Sequence, residues 1–590
     1  MPGLTDFGVS TGRFRRMHGQ SPRILKRHRK RCLGSVTGPA HPVTQSATPT
    51  RGLPRPAADR LHAVAQARPL RAGLSARAYA AGVALCTAGV AAFVLVQLHA
   101  WPPHEDETLA LFTGRHSFGD LLRIVLGRRG GAPLHFVFAF LVAHLGLGLT
   151  GLRVVSAVFA IASVPVIGAL GSRLGGRAAG LGAAALASGS WILLFHGVYG
   201  RMYSLFLFTS ALSYLAVERA LERGGRRWAW WGLAVLATVA THPYGALVLA
   251  SQGLYVLLRR VRVRQAVVAF GAVLVAGIPF WWTDVVLAGR FDVGVGGGGD
   301  KLGGPGPVLR YLWIVAGDVS AGYLPMLLVV LGLAAAGLVI LARERPQGAL
   351  LAGAVFATPT FAFLVARLGS QTSPESRHLI FALPFFSTLV AIPIARLAAR
   401  PHRLAPAAAA AALLALVGAE IAWADHKTPA LFDGEPSARV QARGEASAWL
   451  ARTARRDDVL FGYDPLYLGA WERNGSLTET VVPRADPKLA LSVLRSAPKP
   501  LGRGIWVFDA SDTNNFTPKL TIPLHMPRPA TAFEARVYGP FLVIRSRGPT
   551  RTLRRYLEET RAVQLVGQSL YIGDADVNLD TAKRALRRLG

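Results

Sequence analysis

The stretch AYAAGVALCTAGVAAFVLVQLHAWPPHEDET, Ala78–Thr108, joins a long apolar run to a cluster of acids. The run from Ala78 to Trp101 meets the roughly 20 apolar residues that a bilayer crossing needs. Directly behind it stand His104, Glu105, Asp106 and Glu107. Ionisable side chains at the mouth of a span are costly to hold there without a task. Accepting a proton, or gripping a cation at the membrane surface, is a task that suits them.

The rest of the chain extends this reading. Its 590 residues are 51% hydrophobic and carry a formal charge of +33, with a mean hydropathy of +0.34. Apolar content this high, spread over many long runs, marks a polytopic α-helical membrane protein. Much of the basic excess lies in the first 77 residues and in short loops between apolar runs, where the positive-inside rule expects it. That distribution argues against nucleic acid and for a lipid bilayer as the partner. The two cysteines, Cys32 in the basic tail and Cys86 inside the first run, suit neither a disulfide nor a zinc or iron–sulfur site.

Residues 1–77 lack apolar periodicity and read as a disordered, basic cytoplasmic tail, densest at Arg23–Arg31. Eleven spans follow, near 78–100, 151–171, 178–197, 203–221, 228–243, 244–259, 265–283, 323–342, 348–366, 378–397 and 404–424. Arg173, Arg177, Arg219, Arg223, Arg259, Arg343 and Arg396 then share one side, the cytoplasm. Pro133–Leu149 is short and would invert every later loop, so it is expected to lie in the outer interface. Residues 284–322, with the glycine-rich run 294–299, form a second external loop, flexible as a lid over a site is. Thus 78–425 is the membrane domain. Residues 426–590 alternate strand-like runs (459–462, 504–508, 541–544) with helical patterns (437–455, 550–565, 579–589). They predict an extracytoplasmic soluble α/β domain, and the whole is a multi-pass protein of the plasma membrane.

This topology gathers unusual polar residues on the external face: the acids behind the first span, Arg201 and Tyr203, His242, and Arg377. Arginine grips phosphate through a planar fork, and a carboxylate takes up a proton. Such a set suits an anionic, lipid-attached substrate. Each member also has a plainer role. Arginines at helix ends snorkel to headgroups, His242 packs against Pro243, and Asp106 or Thr108 caps a helix beginning near Leu109.

The pattern resembles the GT-C-fold glycosyltransferases that use polyprenyl-phosphate sugars, the group that includes protein O-mannosyltransferases and lipid A aminoarabinose transferases. The resemblance rests on Asp106-Glu107 behind the first span, Pro133-Leu134-His135-Phe136 leading to Gly151 and Arg153, Gly171–Arg177, Arg201–Leu205 and Arg377-His378-Leu379 with Pro384. It covers about 78–425. The chain departs from the family at Tyr199, where a Glu is frequent, and at Gly131-Ala132, where His or Lys is frequent. The resemblance implies an inverting transferase moving a mannose- or arabinose-like sugar from a polyprenyl-phosphate donor to a glycan, lipid or protein acceptor. Asp106 is the implied general base, with Glu105 and Glu107 orienting the acceptor or, with Asp106, holding Mg²⁺ or Mn²⁺. Arg201, His242, Arg377 and Tyr203 are the implied phosphate site. A transporter or flippase for lipid-linked intermediates, or an envelope scaffold, remains the alternative. A transporter predicts charge in mid-span, and the spans carry little.

Overall fold

The computed structural model describes residues 74–288, 304–366, 375–510, 525–570, 572 and 574–589. The basic tail up to residue 73, Cys32 and the glycine run 294–299 lie outside the described residues. Long apolar stretches become helices because, in lipid, only an intrahelical partner satisfies each backbone amide. Seven described helices are long and apolar enough to cross a membrane, among them Ala76–Val96, Gly148–Gly175, Tyr203–Arg223 and Ala405–Lys427. Two bent pairs raise the number to nine: Arg177–Gly189 with Trp191–Val198, broken by 57°, and Val263–Ala276 with Ile278–Ala288, broken by 56°. The eleven expected segments all fall on these helices or on Arg227–Thr241 and Gly245–Arg259. Those last two have 15 residues each, about 22 Å at the α-helical rise, short of a 30 Å hydrocarbon core. By length the described residues therefore hold seven spans, or up to nine where each bent pair is one crossing, against the eleven expected. The protein is a multi-pass, mostly helical membrane protein with a small sheet toward its C-terminus.

One end of the bundle ties its basic loop residues together. Arg173 pairs with Glu222, Arg396 with Glu344, Arg345 donates to the Arg173 carbonyl, and Arg262 donates to the Leu221 carbonyl. Arg201 precedes Tyr203–Arg223 and Arg377 opens the segment that runs into Leu383–Ala398, so both stand at the ends opposite Glu222 and Arg396.

Beyond Ser437 the chain builds a five-stranded sheet in the order β2-β1-β3-β5-β4, from β1 (Val459–Phe461), β2 (Val481–Val482), β3 (Gly504–Asp509), β4 (Phe533–Tyr538) and β5 (Phe541–Ser546). β1 pairs in parallel with β2 and β3, whereas β5 is antiparallel to β3 and β4. The three expected strands are β1, β3 and β5. β2 is two residues long and β4 is a polar edge, so neither carries a strong apolar signature. Alternation along β3 sends Ile505 and Val507 to one core and Trp506 and Phe508 to the other. The first of those cores also contains Leu109 and Phe112, from the helix Glu105–Gly114 behind the first span.

Candidate functional site

The helix Glu105–Gly114 is capped by His104, not by Asp106 or Thr108. His104 Nδ1 accepts from the Asp106 amide at 3.2 Å, and Glu107 Oε2 accepts from the His104 amide at 3.0 Å. Histidine stands outside the usual set of capping residues, so the sequence put the cap too late. The earlier start places three consecutive acids in the first turn, where the helix dipole favours them, and points them in three directions.

Glu107 turns inward. It is fully buried against Arg153, itself 1% exposed. Its Oε1 accepts from Arg153 Nε at 2.9 Å and the Gly200 amide at 2.8 Å, and its Oε2 accepts from Arg153 Nη2 at 2.9 Å and from His104. Arg153 spends its remaining donors on the carbonyls of Leu98, Trp101 and Pro102. One buried pair thereby fixes the exit of the first span, the Asp106 helix and the Gly200–Arg201 turn. A Cβ at Gly200 would lie 2.8 Å from Glu107 Oε1.

Glu105 turns toward the sheet. It accepts from the Tyr463 amide at 3.1 Å and from Arg484 at 3.0 Å. Arg484 also stands 3.7 Å from Asp464. Burial raises the Asp464 carboxyl to about 6 even though Arg484 opposes the shift.

Asp106 lies between the other two and faces a cavity of about 750 Å³. Its Oδ1 is 3.1 Å from Arg201 Nη1, and its Oδ2 accepts from the Tyr199 hydroxyl at 3.1 Å. Burial pushes its carboxyl up, but Arg201, His104 and Arg377 more than reverse this and hold it well below the usual carboxylate range. Tyr199 thus supplies a hydroxyl to the acid.

Arg201, His242, Arg377, Tyr203 and Glu105 line the same cavity. The Arg377 guanidinium lies 5.1 Å from the Tyr203 ring centre and donates to Glu375 at 2.6 Å. Nδ1 of His242 accepts from the Tyr244 amide and Nδ1 of His378 from the Glu375 amide, both at 3.1 Å. Each ring therefore carries its proton on Nε2. The two rings are 5.4 Å apart. The buried Nε of Arg201, Nε of Arg377 and Nε2 of His135 have no hydrogen-bond partner among the described residues. Three such polar atoms around one cavity suit an oxyanion. A wall is closed by Gly130, whose positive φ lets the loop run against Ile278–Ala288; a Cβ there would meet the Thr283 carbonyl at 2.3 Å.

The expected residues therefore converge, with one exception: Glu107, expected among the catalytic acids, does not line the cavity. Nor do the carboxylates form a cation cage. Glu105, Asp106 and Glu107 each belong to a different arginine, and no group of three or more His, Cys, Asp or Glu among the described residues fits a metal. Sequence reasoning missed His104, Tyr199 and His135 as contributors. For Tyr199 the signal was its position two residues before Arg201.

No protein-family model and no curated protein matches the chain. Solved structures do. ArnT from Cupriavidus metallidurans in the apo state is 15% identical, with a TM-score of 0.51 over 78% of this chain and 97% of that one. The same protein bound to undecaprenyl phosphate is 14% identical, with a TM-score of 0.50 over 80% of this chain and 98% of that one. The chain has the GT-C fold.

Proposed function

We propose that the chain is an inverting glycosyltransferase that moves a mannose- or arabinose-like sugar from a polyprenyl-phosphate donor to an acceptor hydroxyl at the extracytoplasmic face. The observation that carries this reading is the shared cavity, which Asp106 lines together with Arg201, Arg377, His242 and His378. Its fold is that of a protein solved with undecaprenyl phosphate, and the basic loops at the opposite end support the orientation.

In this mechanism the donor phosphate is bound by Arg201, Arg377 and His242, with Tyr203 beneath the Arg377 guanidinium. The acceptor oxygen attacks the anomeric carbon as the bond to the phosphate oxygen breaks. The hydroxyl proton goes to Asp106, and the departing electron pair stays on polyprenyl phosphate, where the guanidiniums neutralise it. Alone, the Arg201 pair makes Asp106 a poor base. Donor phosphate competes for Arg201, which returns basicity to Asp106 when an acceptor needs it. Glu107 positions Asp106 through the helix they share.

The test is Asp106→Asn in membranes supplied with a polyprenyl-phosphate sugar. Release of polyprenyl phosphate falls by about 10²–10⁴-fold, the usual worth of a general base, while donor binding is retained. Transfer at the wild-type rate removes Asp106 from the role of base. Movement of intact donor across the membrane without release of polyprenyl phosphate replaces the transferase with a transporter.

A further inference from the structure

The helices Arg227–Thr241 and Val263–Ala276 both begin at the basic end of the bundle and run side by side. They pack through Trp231 and Phe270, whose ring centres are 4.4 Å apart, and Trp228 Nε1 donates to Gln265 Oε1 at 3.2 Å. Beside that seam a groove of about 850 Å³ stays open. Leu233 and Val268, which line it, are 60% and 67% exposed, so the groove faces the hydrocarbon. From Arg264 to Ala276 its wall rises about 18 Å at the helical pitch. Half of a bilayer's hydrocarbon core is about 15 Å. The groove is one leaflet deep.

Polarity is confined to one end. Ala229, Gly232 and Leu236 line one wall and Val268, Ala272 and Ala276 the other, whereas Arg264 and Gln265 stand at the basic end. No acid lines the groove among the described residues. Neither helix has a side-chain cap or an acid in its first turn, so two positive dipole ends add to the arginine. Arg226 and Arg227 stand between the lining residues Gly225 and Trp228, and the nearby Glu222 is already paired with Arg173. The positive-inside rule accounts for basic loops, but not for a groove of leaflet depth that opens between them.

Any lipid tail fills an apolar groove in hydrocarbon, so the charged end selects the occupant. A second copy of the chain fits poorly. Two copies share one orientation in a membrane, and pairing along this face sets their arginine ends side by side, where like charges repel. A zwitterionic lipid brings an ammonium group to the same end.

We propose that this groove binds an anionic diacyl phospholipid of the leaflet at the basic end, with its phosphate at Arg264 and the two helix N-termini and one acyl chain along Gly232 and Ala272. The site is separate from the reaction cavity and does not depend on the transferase reading, yet both of its walls lead there. Arg227–Thr241 ends at His242, and Val263–Ala276 bends into Ile278–Ala288, which gives Asp284, Leu287 and Ala288 to that cavity. A lipid wedged at the basic end braces two helices whose far ends shape the reaction site.

The experiment ejects the full chain from nanodiscs of equal phosphatidylglycerol and phosphatidylethanolamine and counts the retained lipids by native mass spectrometry. Wild type retains phosphatidylglycerol in preference. Gly232→Leu fills the groove, and its Cβ has room, the nearest atom being Val273 Cγ2 at 3.6 Å. Its retention of phosphatidylglycerol falls to that of phosphatidylethanolamine. Arg264→Gln leaves the groove open and lowers the preference about fivefold, the worth of one arginine at an anionic surface. Phosphatidylglycerol also raises the apparent melting temperature of wild type above that in phosphatidylcholine, as a ligand of the folded state does. Gly232→Leu melts with wild type in phosphatidylcholine and gains nothing from phosphatidylglycerol. Should Gly232→Leu not fold, Arg264→Gln decides alone. Equal retention of the two lipids by wild type, or a preference that Arg264→Gln leaves unchanged, overturns the site. So does a wild-type dimer that Gly232→Leu dissolves, which gives the groove to a second copy, or undecaprenyl phosphate that displaces phosphatidylglycerol from it.

Discussion

Replacing Glu107 by glutamine tests whether this acid shapes the site or reacts within it. The substitution keeps size and one carbonyl oxygen, which still serves two of the four donors that converge on Glu107: Arg153 Nε, Arg153 Nη2, and the amides of Gly200 and His104. The new NH₂ faces the other two donors and repels them. Arg153, 1% exposed, is left as a cation without a counter-charge. Removing one partner of a buried pair costs about 3–5 kcal/mol, against a usual margin of about 5–15 kcal/mol. At about 2 °C per kcal/mol for a large domain, the apparent melting temperature falls by about 6–10 °C. Tryptophan fluorescence at a fixed scan rate in detergent measures it, alongside Asp106→Asn, whose acid is part-exposed in the cavity and whose loss is felt in transfer. A Glu107→Gln protein that melts with wild type but transfers no sugar refutes the reasoning and returns Glu107 to the catalytic set. Arg153→Lys keeps the charge but not the planar fork, and melts between the two.

Four further outcomes follow from other positions. Gly200→Ala forces its Cβ against Glu107 Oε1, which Arg153 holds in place, and overpacking costs about 1–3 kcal/mol. Gly89→Ala, in the helix Ala76–Val96 with nothing within 4 Å, melts at or above the wild-type temperature. Glu105→Gln and Arg484→Met, measured by thermal melting singly and together, show a coupling of about 1 kcal/mol, and additive effects refute the contact between helix and sheet. Asp464 has a folded pKa of about 6 against about 3.9 unfolded, so its share of stability is complete below about pH 4 and is lost as pH rises through 6. Asp464→Asn keeps an oxygen for the Leu466 amide and removes that loss. Its melting temperature therefore gains on wild type between pH 4.5 and pH 7, and a constant gap disproves the assignment.

The sequence displayed the membrane helices because hydrocarbon tolerates nothing but long apolar runs. It also displayed the convergence of Asp106, Arg201, His242 and Arg377, since one count of crossings put them at one face. The division of labour among three adjacent acids was not visible. Their partners, Arg153, Arg201 and Arg484, lie 46, 95 and 379 positions away along the chain, and no local pattern says which acid meets which. The helix breaks near Ser190 and Gly277 were hidden for a related reason: apolar runs continue straight through both.

The helix that carries Asp106 also gives Leu109 and Phe112 to the core beneath the sheet. Phe112 packs at 5.0 Å from Trp471 and 5.5 Å from Tyr463. The acid and the sheet are thus mounted on one rigid rod about 15 Å long. Any tilt of the sheet, as when something bulky settles against its outer rim, swings that rod and shifts the carboxylate with it. Excising everything after residue 427 would strip two apolar anchors bare and unseat Asp106, so a shortened chain would lose its reactive geometry along with its sheet.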